Sequence, residues 1–419
     1  MKKINLFFVL FFLLCLFAQD IFSEEVLSWE QCLLEAKKNN PELISAVEVI
    51  NQKKASQNVA GSNYFPQVSG SLATSQRGPS GTTKSYSYGV SATQLLFDGF
   101  KTTNSVYAAK ENLNAARAAY QFTSSDVRLS LRTAFIHLLK AQELIKVAEE
   151  IVSIREDNWK LIELRYKSGL EHKGALLTAE ANLISARAEL SQAKRDVVLA
   201  QRQLTKAMGK KEFIPFFVQG DFLVRETILE KPDFEEIVKN DPSVIEAIAR
   251  KNAAIFNLKS SQGNRFPKVS LSAGADRSSS QWPPQDEGWN AGVSLSVPLF
   301  EGGLKAEQIK ESQALLKQAE ANEQIVRDTT IVSLEQSWNA LENALELVEV
   351  KRKSLEASQE RSKIAQGQYS IGFIDFDNWI VIENDLVNAK KAFLESQANA
   401  LLAEAKWIQA KGETLDYAL

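Results

Sequence analysis

The chain has 419 residues, with 49 Lys+Arg against 52 Asp+Glu and a formal net charge of −3. There is no basic excess to neutralise phosphates, so no nucleic-acid partner is expected. Glycine (19) and proline (10) are scarce and sit at segment borders, which excludes fibrous and disordered compositions.

Lys2 and Lys3 precede an apolar run from Leu6 to Phe17. This is the form of a secretory signal peptide over residues 1–23, with cleavage near Ala18 or Ser23. Cys15 raises a lipidated alternative, against which Leu14 is a poor preceding residue. The mature chain then keeps only Cys32, so no internal disulfide is expected. No other run of about twenty apolar residues exists, and helices are not expected to span a membrane.

Across residues 24–40, Ser28 followed by Glu30-Gln31 predicts a short capped helix ending at Asn39-Asn40. Pro41 opens a second helix, which runs to about Tyr64 and is stopped by Pro66. A strand pair follows at about 67–97, then a long helical hairpin at about 101–208. Its first helix, from Lys101 to Tyr166, would reach roughly 100 Å at about 1.5 Å per residue, far beyond a bilayer core of about 30 Å.

The same punctuation returns about two hundred residues later, so the chain is one duplicated architecture. Asn40-Pro41 recurs as Asp241-Pro242, and Phe65-Pro66 as Phe266-Pro267. Leu96-Phe97-Asp98-Gly99 recurs as Leu299-Phe300-Glu301-Gly302, and Tyr166-x-x-Gly169 as Tyr369-x-x-Gly372. The copies occupy 41–209 and 242–412, with a linker at 210–241 and a short tail at 413–419. The second strand pair falls at about 268–300 and the second hairpin at about 304–411.

The strands alternate apolar and small polar residues. Trp289, Ala291, Val293 and Leu295 face one way, Asn290, Gly292, Ser294 and Ser296 the other, and Val269 to Asp276 repeats the pattern. Alternating segments of about ten residues, with aromatics at their ends, match a transmembrane barrel. A soluble sheet with one solvated face would alternate too. Four strands cannot close a barrel, so a membrane reading requires several chains to share one.

The helices carry apolar heptads, as coiled-coil packing demands. Leu176, Leu183, Leu190, Val197 and Leu204 interleave with Ala179, Ala186, Ala193, Ala200 and Ala207. Trp379, Leu386, Phe393, Ala400 and Trp407 keep that frame in the second copy. Gly169 and Gly372 end the first helix of each hairpin and reverse the chain.

These duplicated motifs, in this order, resemble the TolC family of bacterial outer-membrane efflux proteins over essentially the whole mature length. The resemblance implies a mixed fold, a membrane β-barrel plus an all-α tunnel. An internally duplicated protomer would contribute four strands to a shared twelve-stranded barrel and long antiparallel helices to a periplasmic tunnel. It also implies a homotrimer in outer-membrane lipid, working with a periplasmic membrane-fusion adaptor protein and an inner-membrane pump of RND, ABC or MFS type. Such a duct serves tripartite efflux or type I secretion, with no chemistry or cofactor of its own.

The family's inner end is closed by hairpin tips, so Tyr166, Gly169, Tyr369 and Gly372 become the expected adaptor and pump contacts. Tyr369 matches the tyrosine of the gate-locking network, though Ile374 stands where its arginine neighbour is usual. Asp375 and Asp377 come slightly earlier than the family's gate aspartates, whose places are taken by Asn378 and Val381. Three readings stay open: an acidic ring in a shifted register, a different lock, or solvated charges on an exposed tip. Glu383 and Asp385 offer a further place for the ring. Phe65, Pro66, Phe97, Gly99, Phe266, Pro267, Phe300 and Gly302 mark the passages between strand and helix.

No catalytic constellation emerges. His137, His172 and Cys32 lack convincing metal spacing. Met208-Gly209-Lys210-Lys211 lacks the second glycine and the preceding strand of a phosphate loop. A periplasmic adaptor or a surface coiled-coil protein is the alternative. The first lacks soluble β-domains here, and the second leaves the duplicated strand pairs unexplained.

Overall fold

The computed structural model describes residues 25–78, 83–222 and 231–416. The signal peptide and Cys15 lie outside them. The chain forms two compact units. Among the described residues one comprises 25–40, 130–222 and 341–405, the other 41–78, 83–129, 231–340 and 406–416.

Strand β1 (Glu25–Leu27) leads into helix α1 (Trp29–Asn39). The helix starts at a capping box: the Gln31 amide donates to Ser28 Oγ at 3.3 Å, and the Ser28 amide donates to Gln31 Oε1 at 2.8 Å. It stops because Pro41 forces Asn40 into extended backbone. Pro41 is the first residue of α2 (Pro41–Gly61), and a 3₁₀ turn, Ser62–Tyr64, carries the chain to Phe65-Pro66. Strands β2 (Gln67–Arg77) and β3 (Thr83–Phe97) precede helix α3 (Lys101–Lys167), and α4 (Lys173–Met208) completes the first hairpin.

The span read as a linker carries two elements. Strand β4 (Phe216–Val218) pairs in parallel with β1, and helix α5 (Phe234–Lys239) follows. The second copy comprises α6 (Pro242–Gly263), β5 (Lys268–Ser279), β6 (Asp286–Ser296), α7 (Leu304–Ser370) and α8 (Phe376–Ala410). The strand β6 stops two residues before Pro298, which cannot donate to a ladder. Both α3 and α7 hold 67 residues. Among the described residues no helix is long and apolar enough to cross a membrane.

The four long strands form one antiparallel sheet in the order β2-β3-β5-β6. Register places Gly70, Val90, Ala275 and Trp289 in one row, and Leu72, Tyr88, Arg277 and Glu287 in another on the same face. The opposite face carries Ser71, Gly89, Asp276 and Gly288, then Ser69, Ser91, Gly274 and Asn290. The apolar face is exposed within the protomer: Trp289 keeps 83% of its surface, Leu72 72% and Val293 67%. β2 and β6 are open edges.

Each strand pair hands over to its long helix at a glycine turn. Asp98 caps α3, taking the Thr102 amide at 2.9 Å and its hydroxyl at 2.6 Å. Gly99 has φ +70°, and a Cβ there would stand 2.5 Å from the Gly263 carbonyl oxygen and 2.6 Å from Phe266 Cβ. Only glycine fits, because the turn is both left-handed and pressed against the end of α6. The second copy turns at Glu301-Gly302, where the Leu304 amide donates to the Glu301 carbonyl.

The heptads bury as coiled-coil seams. Leu183, Val197 and Leu204 with Ala179, Ala186, Ala193 and Ala200 lie in the core of α4. Trp379, Leu386, Ala400 and Trp407 do so in α8. Ala186 sits against Ile151 and Val387, one contact from each of two neighbouring helices. So small a side chain lets the backbones approach closely.

Candidate functional site at the hairpin tips

Each tip is shaped by a left-handed glycine. Gly169 (φ +75°) follows α3, and the Leu170 amide donates back to the Arg165 carbonyl at 2.9 Å. Gly372 (φ +78°) follows α7, and the Phe373 amide donates to Gln368 at 2.8 Å. Both are helix-ending motifs that satisfy terminal carbonyls. The return helices are then capped by side chains. His172 Nδ1 accepts the Ala175 amide at 3.2 Å, and Asp375 Oδ1 accepts the Asn378 amide at 2.8 Å.

The two tyrosines of the repeated motif have different environments. Tyr166 is 38% exposed, whereas Tyr369 is 1% exposed. The Tyr369 ring stacks flat on Trp379, with centroids 4.5 Å apart and planes 2° apart. Its hydroxyl donates to Glu171 Oε2 at 2.6 Å. The Arg165 guanidinium lies 4.6 Å from the ring centroid and its Nη1 donates to the Tyr369 and Ser370 carbonyls at 3.3 and 3.4 Å. Burial, then the Glu171 carboxylate, push the phenol well above its usual range.

Thus an arginine does meet Tyr369, but it comes from the first tip. Ile374, at the position where the arginine was sought, packs against the apolar cluster of Ile162, Tyr369, Phe376 and Trp379. Arg165 and Glu171 directly flank the first motif, immediately before Tyr166 and two residues after Gly169. That adjacency is the only sequence signal that could have found them.

A cleft of about 350 Å³ opens beside this lock, lined by Arg165, Glu171, His172, Tyr369, Asp375 and Asp377 among others. Asp375, Asp377 and Asn378 are exposed. Asp375 is engaged as a helix cap, and Asp377 adds its charge to the same first turn. Sequence position brings these groups to one mouth, although Asn378 does not line it.

Farther from the tips, Glu383, offered by the sequence as a further place for the acidic ring, lies instead in a buried polar layer. Glu383 is 4% exposed and accepts from Ser362 Oγ at 2.5 Å and Asn158 Nδ2 at 3.3 Å. Arg155, also buried, donates to Asn384 Oδ1 at 2.6 Å. Its Nη1 finds no protein acceptor among the described residues. Burial lowers the Arg155 pKa, opposed by the nearby Glu383 charge. Guanidinium remains protonated across the accessible range.

Comparison with known proteins places the chain in one family. The model of the family "Outer membrane efflux protein" matches residues 33–210 and 234–413, one span for each copy. The outer membrane efflux protein BepC of Brucella suis is 24% identical over 391 residues, 91% of this chain and 84% of BepC. CusC of Escherichia coli K12, a cation efflux system protein, is 21% identical over 378 residues, 86% of this chain and 81% of CusC. The crystal structure of the Campylobacter jejuni CmeC outer membrane channel superposes with a TM-score of 0.82 at 17% identity, covering 91% of this chain and 84% of CmeC. With both repeats matched, the chain belongs to the outer membrane efflux protein family.

Proposed function

We propose that three copies of this chain form the exit duct of a tripartite efflux or type I secretion system. The protein is an outer-membrane efflux channel and not an enzyme. One observation carries the trimer: the four-stranded sheet has an exposed apolar face and two open edges, β2 and β6. Lipid cannot satisfy unpaired strand groups, so β6 of one protomer pairs with β2 of the next until the barrel closes. Three protomers give twelve strands, wide enough to leave a passage.

In this reading the hairpin tips are the inner gate. Tyr369, Arg165, Glu171 and Trp379 hold it shut, and Asp375 and Asp377 form an acidic ring around the mouth by symmetry. A periplasmic adaptor engages the tips around Tyr166, Gly169 and Gly372, and an RND, ABC or MFS pump supplies the energy. The family match over both copies disfavours a periplasmic adaptor or surface coiled-coil protein. Detergent extraction of the outer membrane followed by mass measurement tests the proposal. A trimer is expected; a stable, membrane-inserted monomer would overturn it.

A further inference from the structure

The apolar face of the sheet holds a trough of about 670 Å³. Its two walls are adjacent rows of side chains on that face, and its floor is the backbone of Ser71, Gly89, Asp276 and Gly288 between them. The trough is deep because the row nearer the strand-to-helix turns alternates small and large residues: Gly70, Val90, Ala275, Trp289. That wall is apolar. The outer wall is Leu72, Tyr88, Arg277 and Glu287, and there Arg277 Nη2 donates to Glu287 Oε1. The Tyr88 phenol also interacts with the guanidinium. Trp282 packs edge-on to Tyr86 and Tyr88, with ring centroids 6.1 and 6.5 Å apart.

An ion pair on an apolar, membrane-facing surface is costly unless other groups satisfy it. Tyrosine and tryptophan around it mark headgroup depth. The polarity is therefore graded in the sense of an amphiphile: hydrocarbon wall toward the bilayer middle, charged wall toward the outer rim. Guanidinium and carboxylate side by side also complement a headgroup that carries phosphate and amine together, the phosphate on Arg277 and the ammonium on Glu287.

We propose that this trough is a specific site for a membrane lipid with a phosphate-and-amine headgroup, its acyl chain seated over Gly70 and Ala275. The proposal rests on the outer-membrane reading; recovery of the trimer from that membrane tests the placement separately. Native mass spectrometry of the detergent-purified full-length trimer, incubated with phosphatidylethanolamine or phosphatidylglycerol, tests the site. Wild type is expected to retain phosphatidylethanolamine at least about tenfold better, the scale of one lost charge-assisted contact. Arg277→Gln with Glu287→Gln is expected to abolish that preference. Gly70→Leu, which fills the trough, is expected to remove both lipids while leaving the protein trimeric. Should Gly70→Leu fail to assemble, the double variant still decides. Equal retention of the two lipids by wild type, or retention unaltered in the double variant, overturns the proposal.

Discussion

Tyr369 and Trp379 stack face to face across a chain reversal, so the last turn of α7 and the first turn of α8 share one aromatic contact. Beneath the rings lies an apolar cluster, and at the Tyr369 hydroxyl lies Glu171 from the other tip. The phenol is thus a bolt: one end is fixed within its own hairpin and the other reaches its neighbour. Tyr369→Phe keeps the stack and removes only the reach. Loss of a hydrogen bond to a charged acceptor costs about 1.5–3 kcal/mol. Single-channel conductance in planar bilayers is expected to rise. Unchanged conductance would show that the bond holds nothing closed.

The same hydroxyl gives a pH signature. Its folded pKa is raised above the ordinary value of 10.0, so its contribution is fully present below that pH and declines as pH rises through the raised folded value. The unfolding free energy of wild type, measured by denaturant titration, is expected to start falling above about pH 10, where the unfolded phenol ionises while the folded one does not. Tyr369→Phe is expected to lack that component. A matching profile in both proteins would place the titration elsewhere.

Ala186 and Glu189 lie within one turn of each other in α4 but differ in weight. Ala186→Leu overpacks the seam with Ile151 and Val387, at a cost of about 1–3 kcal/mol. Glu189→Gln loses an exposed ion pair with Lys391, worth about 0–1 kcal/mol. Thermal unfolding of the trimer is expected to separate the two. Equal melting of both variants would mean that the alanine layer sets no close approach.

Replacing Asp375 and Asp377 with Asn keeps a competent helix cap, since Asn caps about as well as Asp. Charge is what the exchange removes. Acid rings in narrow mouths favour cations. Cation preference and block by trivalent metal ions are therefore expected to weaken in bilayer recordings. If neither changes, the ring belongs elsewhere or does not exist.

The buried layer predicts a non-additive pair. Glu383→Ala strips Ser362 and Asn158 of their acceptor and removes the stronger of the two carboxylate charges that act on Arg155, leaving Glu189. Breaking a buried charged partnership costs about 3–5 kcal/mol. Adding Arg155→Met to Glu383→Ala is expected to recover part of the lost melting temperature. Strictly additive losses would show that the two charges are not coupled.

Much of this architecture can be read along the chain because its signals are local. Pro41 and Pro242 begin helices, Gly169 and Gly372 end them, and alternation in β5 and β6 needs only neighbours in sequence. What escaped depends on contacts between distant segments. β4 is three residues long and becomes a strand only by pairing with β1. Glu383 reads as a candidate for the acidic ring until Ser362 and Asn158 enclose it. Arg165 lies beside the wrong tyrosine in sequence, and only the packing of one tip on the other carries it to Tyr369.

That crossing has an evolutionary corollary. Arg165 and Glu171 come from the first copy, Tyr369 and Trp379 from the second. A ring of six identical single-repeat subunits would have to treat every tip alike, bolted or unbolted together. Fusing two copies into one gene frees them to diverge, so one tip can become the keeper and the other the latch.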